Sequence, residues 1–445
     1  MAVKIKTVFF GHSVEGVEAP KATFPQFIKF FTNLPCFQFD VETTPENDFP
    51  KRILRTMQFG YQQFADHGST IFRVVVQASW LKPEEFKMIK DLLENHNQPK
   101  LIHNATFEYE MMRKSGIILG NVIDTMNYEK IILSGKSGKG MYALDDLAMK
   151  YLYLKMDKSY QTAFAEDILT LGHIDYAAQD VTWLQAIARM QKDSIDLLGS
   201  ANVAGLENGA VLGVGEMQYN GMGMDINYWL TMAASNEPIR DQAKAKINEM
   251  LLEEPFYSHC LKEKLLIEYD SVTINWNSPA QRSLVLKYLY PDLTGATKPI
   301  VTKYNKDKDD PYLRMYLVGD FSDINEMLLT AHKDWLLTNG LMHEAGTVLL
   351  NWGSPAQVLK LFQTVSPRLK SVEEEALGKV RHKVVKQYLK FKETEKLIST
   401  YGAGFIDKHL HSDGKVRTRY NQVVSTGRFS SSGPRMLGHC TVMCS

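Results

Sequence analysis

The sequence predicts an α/β domain followed by a mainly α-helical region, and two changes of texture along the chain predict it. From Cys36 to about Lys192, strand patterns alternate with helix patterns, which is how a sheet flanked by helices reads in sequence. Beyond Leu206 the strand signals thin out and long amphipathic helices take over, most clearly over 228–269 and 373–400. The length of 445 residues agrees, since one domain usually takes roughly 100–200.

In order, residues 1–35 read as a short strand (Val3 to Phe10), a glycine-containing turn and a phenylalanine-rich stretch from Phe24 to Phe31, an extension with no assignable role. CFQFDVE and TIFRVVVQA are strand candidates. PEEFKMIKDLLENH reads as a helix, with Pro83 near its start and two glutamates in its first turn. LIHNA is a strand running into a helix, and the polar stretch TKYNKDKDDP at 302–311 is a surface insertion. One repeat stands out: INWNSPAQ (Ile274 to Gln281) recurs as LNWGSPAQ (Leu350 to Gln357). Each copy has the pattern of a helix start, with Ser278 or Ser354 as N-cap, proline at N1, and Gln281 or Gln357 closing a capping box. A third box is expected at Ser371 with Glu374.

Composition excludes several classes. With 44% hydrophobic and 23% charged residues the chain is not globally disordered. Four cysteines are too few and too scattered for a disulfide scaffold. No run of 18 apolar residues exists, and the N-terminal apolar stretch is too short for a signal segment, so a soluble, reducing, cytoplasmic setting without membrane contact is expected. Net charge is zero, 51 basic against 51 acidic residues, but it is segregated. Arg368 to Arg435 holds 15 basic and 7 acidic residues, a surplus of eight that suits phosphate contact. An ordinary solvated surface can show the same surplus.

Three acidic elements carry the candidate chemistry. Asp40 and Glu42 sit two apart in a strand whose other face holds Phe37, Phe39 and Val41, so both carboxylates point the same way, roughly 7 Å apart. In HNATFEYEMM, Asn104 can cap a helix and Glu108 falls in its first turn, while Phe107 and Met111 share an inward face. In HIDYAAQDVTW, Tyr176 and Asp180 share one face of a helix. Singly, each has an ordinary reading: a chance Asp-x-Glu, a charge favouring a helix dipole, a half-exposed pair.

Together and in this order, Asp-x-Glu, Asn-x-x-x-Glu and Tyr-x-x-x-Asp resemble the three exonuclease motifs of the DEDD family, in its tyrosine-bearing form, as in proofreading domains of DNA polymerases. The stretches around Asp124 and Asp146 resemble the segments between the second and third motifs. The resemblance covers about 36–195 and implies a ribonuclease H-like mixed sheet flanked by helices. It further implies that Asp40, Glu42, Glu108 and Asp180 hold two divalent ions, Mg²⁺ or Mn²⁺, and that Tyr176 orients the attacking water. The family usually has aspartate where this chain has Glu108; the longer side chain keeps the charge and shifts the carboxylate by one methylene.

The second half resembles the thumb of family A, DNA polymerase I-type, enzymes. LENGAVLGVGEMQYNGMGMDINYW (Leu206 to Trp229), with Gly221, Gly223 and Asp225, is similar to the segment that opens the polymerase portion. SPAQ at 354–357, SVEEEAL at 371–377 and YLKFKETEKLISTYG at 388–402 follow in the family's order. TRYNQVVSTGRFSSSGP (Thr418 to Pro434) resembles the TGRLSS-type motif between thumb and palm. The resemblance places DNA contacts at Asn104, Lys396, Ser399, Thr400, Tyr401, Thr426, Gly427, Arg428, Ser430 and Ser431. After Pro434 only RMLGHCTVMCS follows, in which Arg435 replaces the family's usual asparagine, and Cys440 with Cys444 is a weak zinc signal.

The expected organisation is an N-terminal extension (1–35), an exonuclease domain (36–195), a helical thumb region (200–417), the edge of a palm (418–434) and an unrelated tail (435–445). The chain is expected to be the N-terminal part of a phage-like family A replicative polymerase, carrying proofreading and primer–template binding. Palm and fingers, the seat of nucleotidyl transfer, would then come from a second chain or be lost by truncation. The competing expectation is a non-catalytic DNA-binding or assembly subunit whose nuclease has decayed. An RNA-processing DEDD nuclease leaves the thumb-like segments unexplained.

Overall fold

Alternation in FQFDVET puts Phe37, Phe39 and Val41 on one side of a strand and Gln38, Asp40 and Glu42 on the other. The three apolar side chains are fully or almost fully buried, and the rest of the domain is arranged around that strand. The computed structural model describes residues 2–65, 68–136, 138, 140–289 and 322–434. The polar stretch 302–311, Arg435 and the Cys440–Cys444 pair lie outside the described residues. Two compact units divide the chain: Met1–Ile226 with Phe405–Ser445, and Asn227–Gly404.

The first unit contains β1 (Ala2–Phe10), α1 (Phe24–Thr32), β2 (Phe37–Thr43), β3 (Leu54–Ala65), β4 (Gly68–Gln77), α2 (Pro83–Leu93), β5 (Lys100–Ile102), α3 (Ala105–Lys114), β6 (Val122–Asp124), α4 (Thr125–Ile132), α5 (Leu144–Leu152), α6 (Leu171–Asp180), α7 (Leu184–Leu197) and α8 (Ala201–Asn220). Six strands form one mixed sheet in the order β1-β4-β3-β2-β5-β6. β2 pairs antiparallel with β3 and parallel with β5, and β6 continues the parallel side. This is the ribonuclease H-like arrangement expected, with one strand added at the edge. β1, within the stretch read as an extension, lies parallel to β4 over its whole length. α1 buries Phe24, Phe27 and Phe31 against the sheet, where Phe27 and Phe31 meet the ring of Phe59. Residues 1–35 thus close one face and one edge of the sheet. β3 has no counterpart among the strand candidates; its run of glutamines (Gln58, Gln62, Gln63) masks the period-2 pattern.

The opposite face carries Gln38, Asp40 and Glu42, and α6 and α7 cover it: Gln185 in α7 donates its backbone N–H to the Gln38 side chain at 3.0 Å. Residues 405–434 also belong to this unit. Lys415–Val416 pairs with Met222–Gly223 after α8, and Gly221 ends that helix with φ +58, where a Cβ would stand 2.9 Å from the Val416 carbonyl. The hairpin Arg419–Asn421 with Ser430–Ser432 follows, tied to α8 by the Tyr420 N–H donating to Gln218 at 2.8 Å.

The second unit is built on the repeat. Residues 265–273 run antiparallel to 341–349, with Ser271 opposite His343, Val272 opposite Met342, and Leu266 bridging Val348. Each strand leads into one copy of the NW-x-SPAQ segment and then into a helix, Pro279–Leu289 or Pro355–Gln363. The expected capping boxes do not close. Gln281 and Gln357 instead accept from the backbone N–H of Asn275 (2.6 Å) and Asn351 (2.9 Å), which staples the turn before each helix. Ser371 accepts from Glu373 N–H, and the short helix that follows, Glu374–Leu377, has Glu373 as its cap. The helix expected over 228–269 is two helices, Ile226–Leu251 and Phe256–Lys262, because Pro255 interrupts it. That expected over 373–400 becomes Glu374–Leu377 and Lys383–Tyr401.

The two copies exchange partners. Trp276 donates to Asn325 at 2.9 Å and Trp352 donates to Asn248 at 3.1 Å, so each tryptophan is held by the helix preceding the other copy. The cores repeat the same positions: Leu251, Cys260, Leu266, Leu350, Trp352 and Leu361 in one, Leu328, Leu336, Met342, Ile274, Trp276 and Val285 in the other. Each core therefore draws side chains from both copies. Trp352→Phe keeps the apolar ring and strands the Asn248 amide; a loss of about 1–3 kcal/mol in unfolding free energy is expected by denaturant titration.

Candidate active site

Three elements bring the acidic residues together. β2 supplies Asp40 and Glu42 on its polar face, and its register with β3 shifts between Glu42 and Thr43. α6 supplies Tyr176 and, as its last residue, Asp180. One carboxylate oxygen from each of Asp40, Glu42 and Asp180 lies within 4.8 Å of the other two. α3 adds Glu108, which is buried and carries an Oε2 atom with no hydrogen-bond partner. Its carboxyl lies within hydrogen-bonding reach of Asp40. The carboxyl of this glutamate thus meets Asp40 and stands outside the group of three. The resulting cleft of about 250 Å³ is also lined by His103, Asn104, Asp145 and Lys158.

Two backbone features hold the elements at this spacing. Asp124 at the end of β6 accepts from the backbone N–H groups of Asn104 and Ala105, both at 3.0 Å, and fixes the start of α3. Asn104 occupies the N-cap position but in the left-handed region (φ 67), with its side chain exposed and making no cap bond. Gly60 in β3 lies under the end of α6: a Cβ there would stand 2.0 Å from the carbonyl oxygen of Val181. Only glycine lets α6 settle close enough to aim Asp180 at Asp40. The sequence reading missed Gly60; a glycine inside a strand pattern is the available signal.

Burial and mutual repulsion dominate the electrostatics. Asp40 is pushed up to about 7, chiefly by burial. Glu42, Glu108 and Asp180 are also held well above the usual carboxylate range, first by burial and then by the charge of Asp40. Tyr176 is raised by burial and by Asp180, Glu42 and Asp40, so its phenol keeps its proton at neutral pH. Clustered oxygen donors that resist ionisation and an unpartnered buried carboxylate oxygen are what a hard divalent cation relieves, so the residues fit such an ion.

Residues 19–192 match the family model described as 3′-5′ exonuclease, of the DNA polymerase A type. This segment is a 3′–5′ exonuclease domain of family A polymerase type. No curated protein matches the chain. Among solved structures, the POL domain of Pol1 from M. smegmatis, in complex with DNA primer-template and dNTP, is similar in fold over 93% of this chain. The TM-score is 0.53 at 16% identity, and this chain spans 53% of that one, about half its length. Brucella melitensis NrnC with bound Mg²⁺ (TM-score 0.36, 15% identity, 50% of this chain and 95% of that one) and Escherichia coli RNase D (0.37, 16%, 47% and 52%) are also similar.

The exonuclease domain gathers Asp40, Glu42, Glu108, Tyr176 and Asp180; the remaining expected site residues are distributed otherwise. Thr426, Gly427 and Arg428 are exposed in the hairpin loop that follows Gln422, and in the strand after it Ser430 is exposed and Ser431 half-buried. Lys396 and Ser399 are exposed and Thr400 half-buried on the Lys383–Tyr401 helix of the other unit. Tyr401 is a correction: its ring is buried edge-on against Trp229, 5.3 Å between centroids, so it packs a core and offers no surface to DNA. Among the described residues, no helix is long and apolar enough to cross a membrane.

Two predictions follow from this geometry. Carboxyls with raised native pKa values contribute stability that is present below about pH 4 and lost as pH rises towards 7. In metal-free buffer, Asp180→Asn is therefore expected to match wild type in melting temperature near pH 4 and exceed it at pH 7.5, by roughly 2–4 °C per kcal/mol of repulsion removed. Mg²⁺ or Mn²⁺ closes that gap by stabilising only the wild type. Gly60→Ala forces the end of α6 away from β3; divalent-ion affinity, read by calorimetry, is expected to fall at least tenfold while the domain still folds.

Proposed function

We propose that this chain is a metal-dependent 3′–5′ DNA exonuclease that proofreads for a family A replicative polymerase, and that its thumb-like segments bind primer–template DNA. The observation that carries the reading is the convergence of Asp40, Glu42 and Asp180 from two elements, with Glu108 behind them and a protonated Tyr176 on the same helix face as Asp180. Four carboxyls crowded together, one buried and three half-buried, are costly, and a decayed nuclease would have no cause to keep all four.

Asp40, Glu42, Glu108 and Asp180 would hold two Mg²⁺ or Mn²⁺ ions. When bound, such ions lower the pKa of a water and neutralise charge on the departing 3′ oxygen. Tyr176 acts as a neutral phenol, donating or accepting one hydrogen bond to hold the attacking water in line, and its raised pKa bars it from acting as a base. The cleft admits a single strand end, with Asn104 at its rim. Exposed Thr426, Arg428 and Ser430 supply phosphate donors on the hairpin of the same unit, and Lys396 and Ser399 supply them on the basic helix of the other.

A 5′-labelled single-stranded DNA should be shortened stepwise from its 3′ end with Mg²⁺ or Mn²⁺ and left intact with EDTA. Asp180→Ala should lower the rate by at least 10³-fold. Full activity in that variant refutes the site. Salt-sensitive duplex binding without hydrolysis is the outcome that supports a non-catalytic binding subunit, and preference for RNA over DNA overturns the substrate.

A further inference from the structure

The candidate active site contains one positive charge whose purpose the acidic cluster does not explain. Lys158 is the one lysine or arginine among the described residues lining the cleft with Asp40, Tyr176 and Asp180. Its ammonium pairs with Asp145 at 2.5 Å and lies near enough to Asp180 to draw that carboxyl's pKa downward.

The backbone around this lysine is held firmly while the side chain stays half-exposed. On one side, Asp157 and Gln179 make a reciprocal pair: the Asp157 N–H donates to Gln179 at 3.2 Å and the Gln179 amide donates back to the Asp157 carbonyl at 3.0 Å. Gln179 precedes Asp180 on α6, so the loop is fixed to the helix that carries the site. On the other side, Ser159 donates both its N–H and its hydroxyl to the Asp157 carboxylate, each at 2.9 Å. Met156 is buried with Leu147, Ala148 and Ile187, which anchors the loop to the core. A long flexible cation on a fixed backbone, at the rim of an anionic cleft, is suited to follow an incoming phosphate.

We propose that Lys158 is a phosphate-contacting catalytic residue of the exonuclease site, leaving Asp145 to bind a non-bridging oxygen of the scissile phosphodiester, with Gln179 as its positioning residue. This rests on the exonuclease reading. In the free protein the ion pair with Asp145 holds the lysine at the cleft until substrate arrives. With substrate bound, the ammonium meets negative charge that grows on the equatorial oxygens in the transition state, so its effect falls on turnover more than on binding. Nothing is transferred to or from the lysine; it acts as a fixed charge throughout.

The test compares wild type, Lys158→Met and Lys158→Arg on single-stranded DNA with Mg²⁺. Loss of roughly 100-fold in kcat with KM changed little in Lys158→Met, and substantial recovery in Lys158→Arg, is the expected result. A kcat within twofold of wild type in Lys158→Met overturns the proposal. Gln179→Leu should lower kcat in the wild-type background and have no further effect in Lys158→Met; additive losses overturn its positioning role. If wild type itself hydrolyses nothing, the exonuclease reading has failed. Oligonucleotide binding in Ca²⁺ then decides the lysine separately: a Kd weakened about two- to fivefold in Lys158→Met supports a phosphate contact, and an unchanged Kd overturns it.

Discussion

Mutual repulsion among buried carboxyl groups is the constraint around which the first unit is built. Asp40, Glu42, Glu108 and Asp180 are drawn from a strand and two helices into a space where none can ionise freely. Hydrophobic packing on the far side of β2 offsets that cost: Phe37, Phe39, Phe59 and the α1 phenylalanines form an almost continuous aromatic layer. The strand is held by its apolar face so that its acidic face can remain unsatisfied. Local strain of this kind, stored at a site and balanced elsewhere, is common in catalytic centres.

α3 shows how the site is joined to the rest of the unit. Glu108 meets Asp40, and Glu110, two residues on, is buried on another side of the same helix. There Glu110 pairs with Arg419 of the 419–432 hairpin and accepts from Gln218 of α8 at 2.7 Å. Removing one member of such a pair leaves a buried charge unpaired, which usually costs several kcal/mol. One short helix therefore carries both a carboxylate of the acidic cluster and the anchor of the hairpin that presents Arg428. Residues far apart in the chain, 108 and 419, are separated by about half a turn of helix and one ion pair.

Much of this was legible in sequence because three acidic elements, each ordinary alone, occur in the order of the exonuclease motifs they resemble. The α/β class, the strand carrying Asp40 and Glu42 and the helix carrying Tyr176 and Asp180 all came from period and spacing. What escaped depends on tertiary neighbours. Gly60 matters because Val181 lies above it, and Lys158 because Gln179 fixes its loop; neither relation has a local signature. β1 was readable as a strand but its partner β4 was not, since parallel pairing over so many intervening residues leaves no pattern in either segment. Tyr401 misled because a helix-terminal tyrosine in a basic helix reads as surface, whereas Trp229 takes it into a core.

The exchanged halves of the second unit bear on how the chain emerges from the ribosome. The core containing Val285 needs Leu328, Leu336 and Met342, and the core containing Leu251 needs Leu350 and Leu361, so the first copy alone closes neither. The later core also encloses the earlier one in chain order, so the inner must wait for the second copy's leading helices and the outer for its trailing ones. During synthesis, the nascent segment up to Leu289 thus presents two incomplete apolar surfaces to solvent, and its safe passage becomes a matter of translation speed and chaperone cover.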